Sequence, residues 1–360
     1  MTSLPEAPAA TGFHPLTVAD VARLCDDAVA VTFEVPPALR ARFAFRPGQY
    51  LTLRLDRDGR EERRSYSICA PAGAGPRIGV RRVDTGLFSE WLVDRLAPGD
   101  VVEVAPPSGS FTPELAAGTH HALIAAGSGI TPVISIAASL LAAHPDTRVT
   151  LLYGNRRTDT VMFTEELADL KDAHGPRLHL IHVLSREPLE AEVANGRLDA
   201  AKLRVLLGSL VDVAGVDGWW LCGPLGMTED AVTVLGELGV PRRRVHRELF
   251  YVDEPPPQVH HRDASPSGAT SDVTVVLNGR STPVVIARED RILDGAQRVR
   301  GDLPFACKGG VCGTCRARVT DGEVRMRRNF ALEEDEVAAG FVLTCQALPV
   351  SERITVDFDA

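Results

Sequence analysis

The chain has 360 residues, a length that suits two or three domains. Hydrophobic residues make up 44% of it and charged residues 24%, as in ordinary globular proteins. The formal net charge of −9 argues against a general nucleic-acid binder, which would carry a basic surplus. No apolar run reaches the ~18 residues of a membrane span, and the N-terminus lacks a secretory pattern. We therefore expect a cytoplasmic protein with no nucleic-acid or membrane partner.

The first third of the chain reads as an antiparallel β-barrel or sandwich. Short alternating segments such as AVAVTFEV, QYLTLRL and RIGVRRV are separated by turns rich in Gly and Pro. One amphipathic helix interrupts them in LFSEWLVDRL. We assign residues 13–115 to this domain and treat residues 1–12 as a flexible N-terminus.

The middle of the chain alternates strands with helices. HHALIAA, RVTLLYG, RLHLIHVL and GWWLCG are buried strands, and TPVISIAASLLAAH is an apolar helix between the first two. This alternation predicts an open parallel sheet with helices on both faces. We assign residues 116–252 to this α/β domain.

A segment rich in Pro, Ser and charged residues follows, and its composition is typical of a linker. We place this linker at residues 253–271. After it, DVTVVLNG and TPVVIA predict a hairpin that turns at Asn278-Gly279. With one helix and a final strand, residues 272–360 form a small α+β domain.

Four of the seven cysteines lie in this last domain, with the spacing C-x4-C-x2-C and a fourth cysteine 29 residues later. This spacing matches the plant-type [2Fe–2S] pattern. The glycines of the loop allow unusual backbone dihedrals around the cluster. A structural zinc site is the alternative, although zinc sites more often pair two short cysteine knuckles. The predicted cluster ligands are Cys307, Cys312, Cys315 and Cys345.

A polar strand in the barrel suits a flavin nucleotide. Arg64 can pair with a phosphate, Tyr66 offers a ring for the isoalloxazine, and the Ser67 hydroxyl can reach flavin N5. Ser65 lies within the same RSYS segment. Downstream, a predicted helix N-terminus can bind the pyrophosphate through Gly86, Leu87, Phe88 and Ser89.

These motifs resemble the ferredoxin–NADP reductase superfamily, whose flavin signature is R-x-Y-S followed by G-x-x-S. The resemblance implies a six-stranded flavin barrel, a five-stranded parallel nucleotide domain and a C-terminal β-grasp ferredoxin domain. It assigns flavin binding to Arg64, Tyr66, Ser67, Gly86 and Ser89.

The loop after the first parallel strand predicts a nicotinamide-nucleotide site. Small residues there let a pyrophosphate approach a helix N-terminus, Thr131 can cap the helix and Pro132 fits its first turn. The superfamily has a similar loop, with Thr commonly at the position of Ser128. The predicted binding residues of this loop are Gly127, Ser128, Gly129, Thr131 and Pro132.

The resemblance also assigns residues beside the reacting rings. Cys222, Gly223, Pro224 and Met227 match the family's C-G-P-x-x-M segment, whose cysteine lies near the reacting nicotinamide carbon. Glu248 and Phe250 match the family's segment beside the flavin ring. Ser67, Cys222 and Glu248 are the predicted catalytic residues.

Ser185 and Arg186 follow a strand where the superfamily's 2′-phosphate binders sit, and Arg156 and Arg157 lie nearby in the topology. A basic pair at this point favours NADPH over NADH. NADH remains the alternative coenzyme.

The domain order resembles the reductases of multicomponent oxygenases, and the C-terminal motifs resemble those of phenylacetyl-CoA epoxidase reductases. The resemblance implies hydride transfer from NADPH to FAD, then single-electron transfer through the cluster to an oxygenase or epoxidase component. A 3-ketosteroid hydroxylase or aromatic-ring dioxygenase is the alternative partner, and FMN is the alternative flavin. A redox-sensing, nucleotide-binding regulatory protein is the alternative of a different class.

Overall fold

The computed structural model describes residues 12–57, 60–83, 86–250 and 268–360. Residues 13–250 form one compact unit, and the described residues from 268 onward belong to a second. Among the helices of these ranges, none is both long and apolar enough to cross a bilayer.

A six-stranded antiparallel sheet opens the first unit, with strand order β4-β3-β6-β1-β2-β5. A bridge between Ile68 and Ile78 joins the two end strands, so the sheet closes into a barrel. Alternate side chains of the strands fill the barrel, and one helix, α1, packs against them. These elements are β1 His14–Cys25, β2 Ala28–Glu34, β3 Tyr50–Arg57, β4 Arg60–Ser67, β5 Arg77–Arg81, α1 Leu87–Asp94 and β6 Val101–Val104.

A five-stranded parallel sheet completes the first unit, with strand order β11-β10-β7-β8-β9. Strands β7, β8 and β10 are buried almost throughout because helices cover both faces of the sheet, as their continuous apolar sequences predict. The elements are β7 His120–Ala126, α2 Ile130–Ala143, β8 Arg148–Asn155, α3 Thr164–His174, β9 Leu178–Leu184, α4 Ala200–Leu210, β10 Gly218–Cys222, α5 Leu225–Glu237 and β11 Val245–Glu248.

The second unit contains a mixed five-stranded sheet of order β13-β12-β18-β14-β16 and a two-stranded sheet of β15 and β17. Its hairpin turns at the predicted Asn278-Gly279, whose φ values are 55° and 68°. Both φ values are positive, as the tight two-residue turns of β-hairpins require. The elements are β12 Thr270–Leu277, β13 Arg280–Ala287, α6 Ile292–Ala296, β14 Arg316–Asp321, β15 Val324–Met326, α7 Glu334–Ala338, β16 Phe341–Leu343, β17 Ala347–Pro349 and β18 Arg353–Asp357.

Three folding expectations are confirmed: the antiparallel flavin-type barrel, the parallel nucleotide-type sheet and the C-terminal α+β unit. Most of the predicted linker, residues 253–267, lies outside the described residues, as does nearly all of the predicted flexible N-terminus. Strand β12 begins at Thr270, two residues before the domain start that the sequence predicts.

Candidate functional site

Three predicted catalytic residues meet where the barrel contacts the parallel sheet. Ser67 ends strand β4, and its Oγ donates a hydrogen bond of 3.3 Å to Glu248 Oε2. Glu248 ends β11 and is in parallel register with Cys222 at the end of β10. The carboxyl ends of two neighbouring parallel strands thus face the end of one barrel strand, which is where α/β sheets place their ligand sites.

Glu248 carries an unusual carboxyl group. Its desolvation in this cleft raises its pKa to about 8, and the hydrogen bond from Ser67 opposes part of that rise. The side chain keeps some accessible surface, but the surrounding protein atoms remove most of the water from its carboxyl group. The raised pKa favours the protonated, uncharged form of this carboxyl near neutral pH.

Cys222 is fully buried, and this desolvation raises the pKa of its thiol well above the ordinary value, with the Glu248 carboxyl adding to the rise. The thiol is neutral at physiological pH. It therefore acts as a small, polarizable side chain that lines the cleft rather than as a nucleophile.

Two glycines bring the nucleotide loop against this cysteine. A Cβ on Gly129 would lie only 2.1 Å from Cys222 O and 2.9 Å from Gly223 N. A Cβ on Gly223 would lie 2.6 Å from Met227 Cε and 3.2 Å from Ala126 N. The backbones of the two loops can approach this closely only because neither position carries a side chain.

The loop after β7 differs from the sequence expectation at its helix start. Helix α2 begins at Ile130 with Gly129 as its N-cap residue, and no side chain caps it. The expectation that Thr131 caps the helix is therefore wrong: its hydroxyl donates back to Ser128 O at 3.0 Å. Pro132 does lie in the first turn. Gly127 has φ of 55°, and its carbonyl accepts a 3.1 Å hydrogen bond from the buried Tyr153 hydroxyl.

The predicted flavin strand places its residues on two faces. Arg64 is half-exposed and pairs with Glu62 at 3.3 Å, while Tyr66 lies on the same face with its ring 6.0 Å from that of Phe88. Burial raises the pKa of the Tyr66 hydroxyl. Ser65 points the other way, where its Oγ lies 3.1 Å from Thr52 Oγ1. An aromatic surface beside an exposed cation suits a flavin ring and its phosphate.

The start of α1 forms a tight loop around Ser89. The Ser89 hydroxyl donates to Gly86 O at 2.9 Å and accepts from Val83 N at 3.1 Å. The Gly86 N–H bonds Val83 O at 2.9 Å, so it is not free for a pyrophosphate as the sequence expectation held. Phe88 is buried, and the side chain of Leu87 is outside the described part of the chain. Phe250 is 39% exposed rather than packed in the core.

The loops after β8 and β9 are joined at the edge where a 2′-phosphate is predicted. Ser185 N donates to Asn155 O at 3.0 Å, and Arg186 N donates to Arg156 O at 2.8 Å. The side chains of Arg156 and Arg186 are both exposed, and within the described ranges neither of these two forms an ion pair. Two cations thus face solvent from adjacent backbone segments.

Glu187 is a residue of this edge that the sequence analysis missed. Its carboxylate accepts hydrogen bonds from Thr158 N at 2.7 Å and from Thr158 Oγ1 at 2.9 Å. The Thr158 backbone N–H lowers the pKa of the carboxyl. An acidic residue directly after Arg186 is the signal that could have identified it.

The four predicted cluster cysteines of the second unit form two thiol pairs. Cys307 hydrogen-bonds Cys312, which lowers the pKa of Cys307 below its ordinary value. Cys315 hydrogen-bonds Cys345, which raises the pKa of Cys315 well above its ordinary value. Cys315 also feels the charges of Cys312 and Cys307, so the two pairs lie close enough to interact electrostatically.

This donor set fits a two-iron cluster. When bound, a [2Fe–2S] cluster would be held by these four cysteine sulfurs, which are the donor type that such clusters take. Gly309 N donates to Cys307 Sγ at 3.3 Å, and the Thr314 hydroxyl donates to Cys312. None of the seven cysteines forms a disulfide. Elsewhere in the described ranges, as here, no three His, Cys, Asp or Glu side chains surround one point closely enough for a single metal ion.

Comparisons with protein-family models match three parts of the chain. Residues 15–112 match the oxidoreductase FAD-binding domain, residues 123–233 the oxidoreductase NAD-binding domain, and residues 275–350 the 2Fe-2S iron-sulfur cluster binding domain. The cofactors are accordingly FAD, a pyridine nucleotide and a [2Fe–2S] cluster, which decides against the zinc alternative.

Curated relatives match over nearly the full length. One of the subunits of 1,2-phenylacetyl-CoA epoxidase from Escherichia coli K12 is 43% identical over 97% of this chain and 99% of its own. The ferredoxin reductase component of 3-ketosteroid-9-alpha-monooxygenase from Rhodococcus rhodochrous is 34% identical over 95% of this chain and 96% of its own. Among solved structures, phthalate dioxygenase reductase shares the fold, with a TM-score of 0.59 and 24% identity over 96% of this chain and 98% of that chain.

The full-length relatives and the three matched domains agree with the order of sheets in the structure. The chain belongs to the ferredoxin–NADP reductase family of NAD(P)H oxidoreductases, in the group that carries a C-terminal 2Fe-2S domain.

Proposed function

We propose that this protein is the reductase of a multicomponent monooxygenase and passes electrons from NADPH to a phenylacetyl-CoA epoxidase. The observation that carries the proposal is the 43% identity to one of the subunits of such an epoxidase over 97% of the chain. When bound, the flavin supplies hydride acceptance and the cluster supplies one-electron transfer. The two electrons of one hydride donor can then be passed on one at a time.

The residues of the chain position these groups and control the proton near them. Ser67 holds its hydroxyl at the end of a barrel strand, and Glu248 holds a proton because its pKa is about 8. Cys222 forms a neutral, water-excluding wall beside them. A cleft with no net charge from Glu248 suits the approach of a neutral dihydronicotinamide ring to a flavin. We assign Ser67, Cys222 and Glu248 to the reacting centre.

The remaining assignments concern the bound nucleotides and the domains. The proposed flavin site comprises Arg64, Ser65, Tyr66, Gly86, Leu87, Phe88, Ser89 and Phe250. The proposed nucleotide site comprises Gly127, Ser128, Gly129, Thr131, Pro132, Ser185, Arg186, Gly223, Pro224 and Met227. The proposed domains are residues 13–115, 116–252 and 272–360, and residues 253–271 join the last two.

NADPH is the proposed coenzyme because Arg186 and Arg156 present guanidinium groups at the edge of the sheet that pair with no carboxylate of the described residues. A guanidinium fork binds a phosphate in two places, whereas a ribose hydroxyl is usually bound by a carboxylate. The Glu187 carboxylate at this edge is already bonded to Thr158, which reduces its capacity to bind a ribose.

The seven cysteines form no disulfide, which favours a reducing compartment and thus the cytoplasm.

The first experiment measures iron, acid-labile sulfide and the visible spectrum of anaerobic protein before and after NADPH. We expect overlapping flavin and [2Fe–2S] bands that bleach on addition. A Cys345→Ser variant should lose the cluster and keep a flavin that NADPH reduces. Cys69→Ser is the control, because this thiol is also buried but bonds the Arg77 carbonyl at 3.2 Å. Flavin bands without iron in the native protein would overturn the cluster assignment.

The second experiment identifies the partner. The protein is mixed with NADPH and either the oxygenase component of a phenylacetyl-CoA epoxidase or that of a 3-ketosteroid monooxygenase, and coupled product formation is measured. We expect efficient coupling with the epoxidase only. Coupling restricted to the steroid enzyme would support the 34% identical relative instead. Full reduction of both cofactors without turnover with either partner would favour a redox-sensing protein.

A further inference from the structure

Gln346 directly follows the proposed cluster ligand Cys345 and is almost completely buried, with 4% of its surface exposed. Its Nε2 donates a 2.9 Å hydrogen bond to Lys308 O, in the cluster loop. The same nitrogen lies 3.6 Å from Cys345 Sγ. Because a carbonyl only accepts, the atom facing Lys308 must be the amide nitrogen, whose second hydrogen is available to the sulfur.

The surrounding structure holds the backbone of Gln346 in place. Gln346 N donates to Leu343 O at 2.8 Å, and Gln346 O accepts from Arg327 N at 2.9 Å. Gly310 leaves room for the side chain: it has φ of 82°, and a Cβ there would lie 3.0 Å from Gln346 Cγ. The backbone of Gln346 is therefore fixed, and its side chain fits the space beside Gly310.

The carbonyl that Gln346 binds belongs to an equally constrained residue. Lys308 has φ of 50° and is 6% exposed. Its Nζ bonds Asp294 Oδ1 at 2.8 Å and Gln297 Oε1 at 2.7 Å. A non-glycine residue with positive φ needs support from its surroundings. Gln346 from one side and helix α6 from the other provide that support.

A hydrogen bond to a ligand sulfur has a defined electrical effect. Reduction adds one negative charge to an iron–sulfur cluster, and a donor at a sulfur stabilises the more negative state more strongly. The reduction potential therefore rises with each such donor. Gly309 N and the Thr314 hydroxyl donate to sulfurs of this loop, and Gln346 Nε2 adds a side-chain donor at Cys345.

We propose that Gln346 is a positioning residue that clamps the cluster loop at Lys308 and raises the reduction potential of the cluster by donating to Cys345 Sγ. This inference rests on the proposed role of Cys345 as a cluster ligand.

The test compares reduction potentials of the full-length holoprotein and of Gln346→Met, which keeps the length of the side chain and removes the donor. At one fixed solution potential, we expect the ratio of reduced to oxidised cluster to fall about tenfold, which equals ~59 mV for one electron. An unchanged potential in a variant that binds a full cluster would overturn the proposal.

The matched control is Thr344→Val. Thr344 lies on the other side of Cys345 and is fully buried, but its hydroxyl donates to the Cys315 carbonyl at 2.9 Å rather than to a sulfur. We expect Thr344→Val to lower thermal stability and to leave the potential unchanged. An equal shift of potential in both variants would attribute the effect to loosened packing and contradict the role of Gln346.

A second measurement covers the case in which Gln346→Met binds no cluster. Native protein labelled with ¹⁵N only in glutamine side chains is reduced and examined by pulsed electron paramagnetic resonance. We expect a ¹⁵N coupling to the cluster spin, and its absence would contradict the hydrogen bond. If the native protein shows no [2Fe–2S] signal at all, the proposed cluster site itself is wrong.

Discussion

Ser67 Oγ donates a 3.3 Å hydrogen bond to Glu248 Oε2, although 181 positions separate the two residues. The contact joins the end of a barrel strand to the last strand of the parallel sheet. It is one of the polar interactions between the flavin-type and nucleotide-type halves of the first unit, and it lies beside the buried Cys222. Both halves must fold and pack before this pair exists, so it reports on the assembled site.

Replacing Ser67 by alanine should slow the reduction of the flavin by NADPH. The variant loses a hydroxyl in the cleft, and the pKa of Glu248 should rise further because the hydrogen bond that lowers it is gone. Losses of one positioned donor in an active site are on the order of a hundredfold in rate. Anaerobic stopped-flow absorbance of the flavin band measures this rate.

Ser139→Ala is the control for this experiment. The Ser139 hydroxyl also connects the two halves of the first unit, since it accepts a 2.9 Å hydrogen bond from Ala72 N and donates to Ser135 O. We expect it to cost ~1 kcal/mol of stability and to leave the flavin reduction rate unchanged. Equal slowing in the two variants would show that Ser67 acts only through packing of the halves.

Glu248 should make the first unit less stable as the pH rises. Its pKa is about 8 in the folded protein and about 4.5 when exposed, so the folded state binds the proton more tightly. Stability then falls between pH 4.5 and 8, because unfolding releases this proton. The slope should be smaller than the full ~1.4 kcal/mol per pH unit, since part of the side chain remains accessible.

The measurement is denaturant unfolding of native protein and Glu248→Gln at several pH values within this window. The tryptophans, all within residues 13–250, provide the fluorescence signal. Other titrating groups cancel in the difference between the two proteins, so the advantage of Glu248→Gln should grow with pH. A difference that does not change with pH would mean that Glu248 ionises normally.

Gly129→Ala should destabilise the protein and weaken nucleotide binding. The added Cβ would lie 2.1 Å from Cys222 O, a backbone atom that cannot move aside without shifting strand β10. Overpacking of this kind costs ~1–3 kcal/mol. Gly208→Ala is the opposite case, because no atom lies within 4 Å of its new Cβ and it sits inside α4. Thermal unfolding should show a loss for the first variant and a gain of up to ~1 kcal/mol for the second.

The sequence predicted the fold because its signals are local. The alternating barrel strands, the apolar parallel strands and the Asn278-Gly279 turn each depend on neighbouring residues. Contacts between distant segments were not predictable in this way. The hydroxyl of Thr131 turned to its own loop instead of capping α2, and the Gly86 N–H was taken by Val83. Small polar groups of this type have several partners within reach, and packing decides among them.

The cluster loop shows the same contrast between local sequence signals and contacts between distant segments. The spacing of Cys307, Cys312 and Cys315 lies within nine residues and is readable directly, whereas Cys345 lies in the turn between β16 and β17. The contact of Gln346 with Lys308 O joins residues 38 positions apart. Its only sequence signal is that Gln346 directly follows Cys345, and that adjacency gives no information about which way the side chain points.

Replacing Arg186 by alanine should raise the KM for NADPH and leave the KM for NADH unchanged. Arg186 is exposed and joined through its backbone to Arg156, so its guanidinium is available to a 2′-phosphate that only NADPH carries. A charged hydrogen bond contributes ~1.5–3 kcal/mol, which corresponds to a rise of about tenfold or more. Steady-state flavin reduction with each coenzyme measures both constants. Arg204→Ala is the control, because that arginine is also exposed but pairs with Glu237 at 2.8 Å on the helices α4 and α5. Equal increases for NADPH and NADH in Arg186→Ala would place this arginine on the shared part of the nucleotide and remove the argument for NADPH.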